Sequence, residues 1–292
     1  MKMNLIILSF LSMALLVSCA SHKTAFDEGS SAKNFVEREK LKNDIEVALS
    51  DWSQRHKSEK LNKAIQNLEK IAAKTDDNKD LLTTLARAYY FKAEYFAKEK
   101  NEKMSYWEKG AYYGEKAIIS GNKELASFLI EGEKLENHLD KLKKEDTPAL
   151  YWVASNLGKW GKSKGITTIL KYKGTIKKYI SKVEQSDNKF FHGAAYRYWG
   201  AYYAVAPAFA GGSLEKSEVY FGKSMDVSTQ YLGTYILKAQ FLATKKRDKA
   251  LFSKLLNKVI QTKLDPKFED YPDNLKAKEM AKKLLSEKDD LF

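Results

Sequence analysis

Phe190-Phe191-His192-Gly193-Ala194-Ala195-Tyr196-Arg197-Tyr198-Trp199-Gly200-Ala201-Tyr202-Tyr203, carried on through Pro207, Gly211-Gly212-Ser213 and Phe221, is the stretch whose spacing decides the fold. Tyr196, Trp199, Gly200 and Tyr203 fall on one face of a 3.6-residue helix, with a residue lacking a side chain among three aromatics. Gly200 would let a partner helix approach closely. Ser217 and Phe221 give that partner a small-x3-aromatic pattern of its own. A hairpin with a single apolar face has to bury it against neighbours, so the pattern predicts a stack of helix pairs.

The spacing 196, 199, 200, 203 keeps the W-x2-L-G-x2-Y register of a tetratricopeptide first helix, with aromatics replacing the expected Trp and Leu. Weaker copies stand upstream. Leu41, Ile45, Ala48, Leu49 and Trp52 share a face of a helix predicted over 34–55, and Ser58 is placed to cap a second, with Leu61, Ala64, Ile65, Leu68 and Ile71 inward. Past the Thr75-Asp76-Asp77-Asn78 turn, Leu82, Leu85, Ala86 and Tyr89 mark a third helix reaching Ala97. Trp107, Gly110, Ala111, Gly114, Ala117 and Ile118 mark a fourth, closed by Gly121. Residues 122–144 read as helix on a looser pattern. Thr147-Pro148 is a cap followed by proline in the first turn of the next helix. Downstream, Leu237, Phe241 and Ala250 and then Leu255, Leu256 and Val259 give a further hairpin. The irregular stretch 264–273 leads to a terminal helix expected to cap the open end of the stack. All four prolines, Pro148, Pro207, Pro266 and Pro272, sit at predicted helix edges, and no segment alternates with a period of two. The fold class expected is all-α: tetratricopeptide-like hairpins stacked into a single right-handed α-solenoid or a compact bundle.

The first residues address the chain. Met1-Lys2 precedes the apolar run Leu5–Val17, too short for a bilayer span and shaped like a secretory h-region. It ends in Leu16-Val17-Ser18-Cys19, and Cys19 is the single cysteine of 292 residues. That sequence resembles the lipobox of bacterial lipoproteins, in which cleavage leaves the cysteine as the acylated first residue. Acyl chains contribute about 0.8 kcal/mol per buried methylene, enough for stable attachment. The expected organisation is a signal peptide over 1–18, an acylated N-terminus and flexible polar tether over 19–33, and a helical repeat domain over 34–292. Ala20 and Ser21 follow the cysteine, with no aspartate at the enterobacterial sorting position, which points to the outer membrane with the domain facing the periplasm.

A net charge of +13 invites a nucleic-acid reading, and export argues against it. The lysine runs 141–144, 171–178 and 276–283 are interleaved with apolar residues at helical spacing, so each reads first as a solvated helix face. Attraction to anionic lipid headgroups or to an acidic partner is the further reading.

From Thr147 onward the resemblance becomes specific. Ala149–Gly161, Phe190–Ala194, Trp199–Tyr203, Pro207, Gly211–Leu214, Phe221 and the closing Asn274, Ala277, Ala281, Leu284-Leu285 and Asp289–Phe292 segments resemble the T-component (TatT) lipoproteins of tripartite ATP-independent periplasmic (TRAP) transporters. The likeness runs from about Ala48 to the C-terminus. Ser217 and Ser224 depart from it, at positions where such repeats usually carry alanine. The resemblance implies an accessory role beside a periplasmic solute-binding subunit, with a partner-docking surface and an apolar cavity through which a hydrophobic ligand passes.

Little points to catalysis. His22, His56, His138 and His192 are not paired at metal-ligand spacing, acylation would consume the only thiol, and Gly211-Gly212 lacks the strand and lysine of a phosphate loop. It reads instead as a turn before a helix capped by Ser213. No cofactor and no metal is expected. The residues able to build a site are aromatic, and although each reads singly as core, adjacent pairs such as Tyr198-Trp199 and Tyr202-Tyr203 do not all face one neighbour. Trp152, Trp160, Phe191, Trp199 and Tyr203 are therefore the candidates for a hydrophobic small-ligand site. The partners expected are a TRAP solute-binding subunit and the membrane through the acyl chains, with a second copy of the chain left open. The alternative is a lipoprotein scaffold for envelope assembly that holds no small ligand, and an envelope hydrolase would need a cleft with paired carboxylates.

Overall fold

Apolar residues recurring at three and four positions leave each segment one buried stripe, and the computed structural model packs these stripes together. It describes residues 21–27, 36–75, 78–120 and 122–292, which are helical with no strand among them. The expected signal peptide over 1–18, Cys19, part of the expected tether (28–33), Asp76-Asp77 of the expected turn and Gly121 lie outside the described residues.

The first helix is shorter than its pattern, since a 3-10 turn (Arg38–Leu41) precedes α1 (Lys42–Ser53), which pairs with α2 (Ser58–Ala72). Lys57, not Ser58, holds the cap position of α2, and Ser58 is its first helical residue. Next come α3 (Lys79–Tyr95) and α4 (Lys100–Ile119). The small face of α4 admits α6 at close range: a Cβ on Gly114 would stand 2.6 Å from Val153 Cγ2.

Where a helix was expected to run to Lys144, α5 (Lys123–Ile130) stops after two turns and 3-10 turns follow. Its end is a Schellman motif: Gly132, with φ +92°, donates to Leu129 O, and Glu133 donates to Phe128 O. A glycine that readily adopts that left-handed conformation outweighed a loose apolar period. α6 (Thr147–Lys164) starts one residue earlier than its sequence signal, with Asp146 at the cap. α7 (Ile166–Ser186) and α8 (Phe190–Val205) run antiparallel across a short turn. α9 (Leu214–Val227) is capped as expected by Ser213, whose Oγ accepts from Lys216 N.

The α8–α9 contact has the form its spacing predicts. A Cβ on Gly200 would lie 2.9 Å from the Phe221 ring, and Ser217 Oγ donates to Gly200 O at 2.7 Å. Ser217 and Ser224 thus occupy alanine-like positions and are fully buried with partners, Ser224 Oγ donating to His192 O at 3.1 Å.

The C-terminal part builds a core of its own. α10 (Gly233–Leu237) runs through a π-helical turn (Lys238–Ala243) into α11 (Thr244–Lys246), which Arg247 ends in a left-handed conformation. α12 (Lys249–Gln261), α13 (Tyr271–Ser286) and α14 (Lys288–Leu291) follow. Leu232, Tyr235, Phe252, Leu256, Val259, Ala281 and Leu284 form this second core, distinct from the larger one built by α1–α8.

Two features differ from the expected open stack. The terminal helix does not cap a free end, because its first turn returns to the first helices: Arg55 Nη2 donates to Asp273 Oδ2 at 2.6 Å and to Asp270 Oδ1 at 2.9 Å across more than 200 residues. Nor do residues 21–27 hang free. Glu115, buried on α4, accepts from Thr24 Oγ1 at 2.8 Å and Ala25 N at 2.9 Å and meets His22 Nε2 at 2.7 Å. An inward carboxylate on α4 is an unsatisfied acceptor until this segment supplies its donors, which is why polar composition alone misread the segment as tether.

Candidate functional site

The site begins with a backbone irregularity. At the start of α8, Phe191, His192 and Gly193 have φ of 43°, 59° and 72°, a left-handed turn that only glycine adopts freely. Two non-glycine residues there cost roughly 1–2 kcal/mol each. Arg197, one helical turn on, offsets this: Nη2 donates to Phe191 O at 2.7 Å and Nη1 to His192 O at 2.6 Å. His192 is fixed from the far side by Asp270 Oδ2, 2.7 Å from its Nε2.

The turn projects the Phe191 ring between two guanidiniums, with Arg87 Cζ 4.5 Å and Arg197 Cζ 5.0 Å from its centroid. Trp152 from α6 stands 5.3 Å from the same ring and Tyr231 stands 5.0 Å from it. Arg87 comes from α3 and also lies over Trp152, at 5.6 Å. Cations over ring faces at these distances are attracted by the ring quadrupoles, more strongly out of water.

Beneath the cations run two carboxylates. Arg87 Nη2 reaches Asp273 Oδ1 at 3.1 Å and also bonds Asp270 Oδ1. Burial by itself would raise the Asp270 carboxyl, but the His192 hydrogen bond and the Arg87 and Arg55 charges hold it well below the usual carboxylate range. Burial pushes the Arg87 guanidinium down, and Asp273 and Asp270 more than reverse this. Three guanidiniums, Arg55, Arg87 and Arg197, thus stand with two carboxyl side chains, Asp270 and Asp273, an excess of basic groups at the seam between the cores.

A cavity of about 410 Å³ opens on this seam. On the first-core side it is walled by Arg87, Tyr90, Tyr95, Trp152, Phe191 and Arg197, and on the second-core side by Ile236, Leu237, Phe241, Ala277, Met280 and Leu284. Lys159 and Lys162 line it as well, Lys159 bonding Glu94 at 2.6 Å. Burial raises the Tyr90, Tyr95 and Tyr231 phenols well above their ordinary value, so these groups stay neutral. A second cleft, of similar volume, lies across Arg87, Trp152 and Phe191, and reaches Trp52, His192 and Asp270. The three shared residues form a partition between the two spaces. Apolar walls with a positive surplus suit an uncharged or anionic apolar molecule and disfavour a cation.

Of the five aromatic candidates, Trp152 and Phe191 line the cavity and touch each other. The other three lie elsewhere. Trp160, 1% exposed, packs under His22 and Tyr172 beside the N-terminal segment. Trp199 is buried against Tyr198 and Tyr202, and Tyr203 sits 5.4 Å from Tyr220 on the α8–α9 side. Sequence reasoning missed Arg55, Arg87, Arg197, Asp270 and Asp273. One signal was available: among 51 basic residues only five are arginine (Arg38, Arg55, Arg87, Arg197, Arg247), and three of the five meet here. A planar, forked cation is the residue type suited to bind two acceptors while stacked on a ring.

The site is thus an aromatic, cation-framed cavity between two helical cores. The chain belongs to the T-component family of TRAP transporters: the family model described as TRAP transporter T-component matches residues 58–292, from the first residue of α2 to the end of the chain. Among curated proteins, none matches it. Membership makes the chain an accessory component of a TRAP transporter and assigns it to the bacterial envelope.

Proposed function

We propose that the chain is a lipid-anchored periplasmic accessory protein that docks a TRAP solute-binding subunit and takes a hydrophobic ligand, uncharged or with one anionic end, into the cavity between its two cores. The carrying observation is the partition itself: Trp152, Phe191 and Arg87 face a cavity of about 410 Å³ on one side and a second cleft on the other. A ligand moving from one to the other would pass these three side chains, which line both spaces. The antiparallel pairs α1–α2, α3–α4, α6–α7 and α8–α9 support a tetratricopeptide-like scaffold, whose usual role is to present surface to partners. The lipobox-like Leu16-Val17-Ser18-Cys19 supports the lipid anchor, and Ala20-Ser21 after it, with no aspartate, supports the outer-membrane, periplasm-facing location.

Native mass spectrometry of the protein extracted gently from its own membrane tests this. Recovery of a periplasmic solute-binding protein, together with an apolar small molecule lost on Trp152 or Phe191 substitution, is the expected result. Recovery with envelope-assembly proteins, no solute-binding protein and no ligand would remove the transport reading in favour of a scaffold.

A further inference from the structure

Among the described residues, the most exposed large apolar side chains gather at one end of the α7–α8 pair. Phe209 is 94% exposed, Ile166 72% and Leu170 60%, and Val205 is exposed as well. Ile166 and Leu170 stand in the first turns of α7, and Val205 and Phe209 at and beyond the end of α8, which runs back toward the start of α7. The loop that carries Phe209 is fastened there, since Tyr202 Oη donates to Ala210 O at 2.8 Å and Lys173 and Lys177 of α7 lie over the Tyr202 ring at 5.6 and 5.1 Å. Phe209, Ile166 and Leu170 are the three most exposed large apolar side chains among the described residues, and apolar side chains this exposed at one end mark an interaction surface.

Charge narrows the partner. From residue 159 to 183 the sequence has eight lysines and no acid, and Lys162, Lys164 and Lys171 are exposed beside the apolar residues. Long lysine stems lie along apolar surface with the ammonium at its edge, as at a membrane interface. Position then selects the occupant. Ser21 Oγ accepts from Lys171 Nζ at 2.8 Å, and the segment behind it is held by Glu115 through Thr24 and Ala25. Cys19 is two residues from Ser21, a covalent reach of at most about 7 Å.

We infer that this end of the α7–α8 pair lies on the membrane, with Phe209, Ile166 and Leu170 entering the headgroup boundary and Lys162, Lys164 and Lys171 meeting anionic phospholipid headgroups. The inference rests on acylation of Cys19 as proposed above. The docked segment 21–27 then does more than tether: it holds the acyl-bearing residue beside the apolar tip, so anchor and protein surface meet the bilayer together. Acyl chains combined with a basic, apolar surface are the two-signal form of membrane attachment.

The test uses the full chain, expressed with its lipid-modifying machinery and reconstituted into vesicles of phosphatidylethanolamine and phosphatidylglycerol at three to one. Leu170→Cys, Phe209→Cys and, as a control on the exposed side of α1, Val47→Cys each receive a nitroxide, and intact mass reports acylation of Cys19. Labels at 170 and 209 should be accessible to oxygen and shielded from a water-soluble nickel chelate, with the label at 47 the reverse. Aqueous labels at 170 and 209 on an acylated chain overturn the surface while leaving the anchor intact, and so does spin–spin broadening that persists in detergent, which would assign the face to a second copy. A chain with unmodified Cys19 refutes the anchor reading instead. Sedimentation of that chain with the same vesicles then decides the surface: binding reduced at least fivefold by Leu170→Ser with Phe209→Ser sustains it, and no binding overturns it.

Discussion

Arg197 holds Phe191 twice: its Nη2 donates to the Phe191 carbonyl at 2.7 Å, while its guanidinium carbon sits 5.0 Å from the Phe191 ring centroid. The same fork takes the His192 carbonyl at 2.6 Å, so one side chain fixes both non-glycine residues of the left-handed turn and the ring it projects. Charge-assisted hydrogen bonds contribute about 1.5–3 kcal/mol each. Arg197→Ala should therefore lower stability by about 3 kcal/mol, and Arg197→Lys should recover less than half, since an ammonium lacks the planar fork. Chemical denaturation of the three proteins gives the comparison, and full recovery by lysine would refute the bidentate role.

Asp270 sets an acid limit. Its carboxyl titrates below the ordinary range in the folded protein, so protonation favours the unfolded chain, and its contribution is complete above about pH 5 and falls away as pH drops toward its folded value. Asp270→Asn leaves Arg55 and Arg87 with one charged partner and should cost about 3–5 kcal/mol at pH 7. The variant should also lose less stability than the parent between pH 5 and pH 3. Melting temperatures across that range check it, and parallel curves would show that Asp270 is not responsible for the slope.

Gly200 faces a ring with no room to move. Alanine there gains up to about 1 kcal/mol of helix propensity but places its Cβ 2.9 Å from Phe221, itself fully buried. Overpacking of this kind costs about 1–3 kcal/mol, so Gly200→Ala should be net destabilising. Gly200→Ala combined with Phe221→Leu should be more stable than the sum of the two single changes predicts, a coupling read from a double-mutant cycle.

Glu115 decides whether the N-terminal segment stays docked. Replacing it with alanine removes the acceptor for Thr24 and Ala25, and limited trypsin digestion should cut after Lys23 at least tenfold faster, with the helical core left intact. Unchanged cleavage would mean that the remaining contacts, among them His22 with Tyr172, Lys23 N with Glu108 and Lys171 with Ser21, hold the segment without Glu115.

Trp152 and Trp160 separate the cavity from ordinary core. An apolar fluorescence quencher that enters the cavity should quench Trp152, which lines it, and not Trp160, which packs beneath His22. Trp152→Phe should abolish the saturable quench and Trp160→Phe should preserve it. The opposite pattern would place ligand binding away from the seam.

The sequence was most legible where a side chain acts on its own helix or its immediate partner. Gly200, Ser217 and Phe221 gave away the α8–α9 contact because close packing at 3.6-residue spacing needs a missing side chain opposite a large one. The candidate site was half legible. Trp152 and Phe191 were singled out for aromatic crowding, as were Trp160, Trp199 and Tyr203, and crowding does not tell a ring facing a void from a ring facing its neighbours. The loss of α5 after Ile130 was missed for a similar reason, since Gly132 competes with an apolar period and the balance depends on local hydrogen bonds.

By itself the sequence determined the all-helical class, the helix pairs and their small-residue contacts, and the family resemblance, because these rest on periodicity and on residues near one another in the chain. Tertiary structure alone decided that the last helix returns to the first ones, that residues 21–27 are seated on Glu115, and that a cavity lies between two cores with Arg87 and Phe191 in its wall. Each of these depends on pairing charges or rings separated by roughly 90 to 220 residues, as in the Ala25–Glu115 and Arg55–Asp273 contacts. Local spacing carries no record of such partners. Their positions are fixed only when burial leaves a cation, a carboxylate or a strained carbonyl with one place to be satisfied.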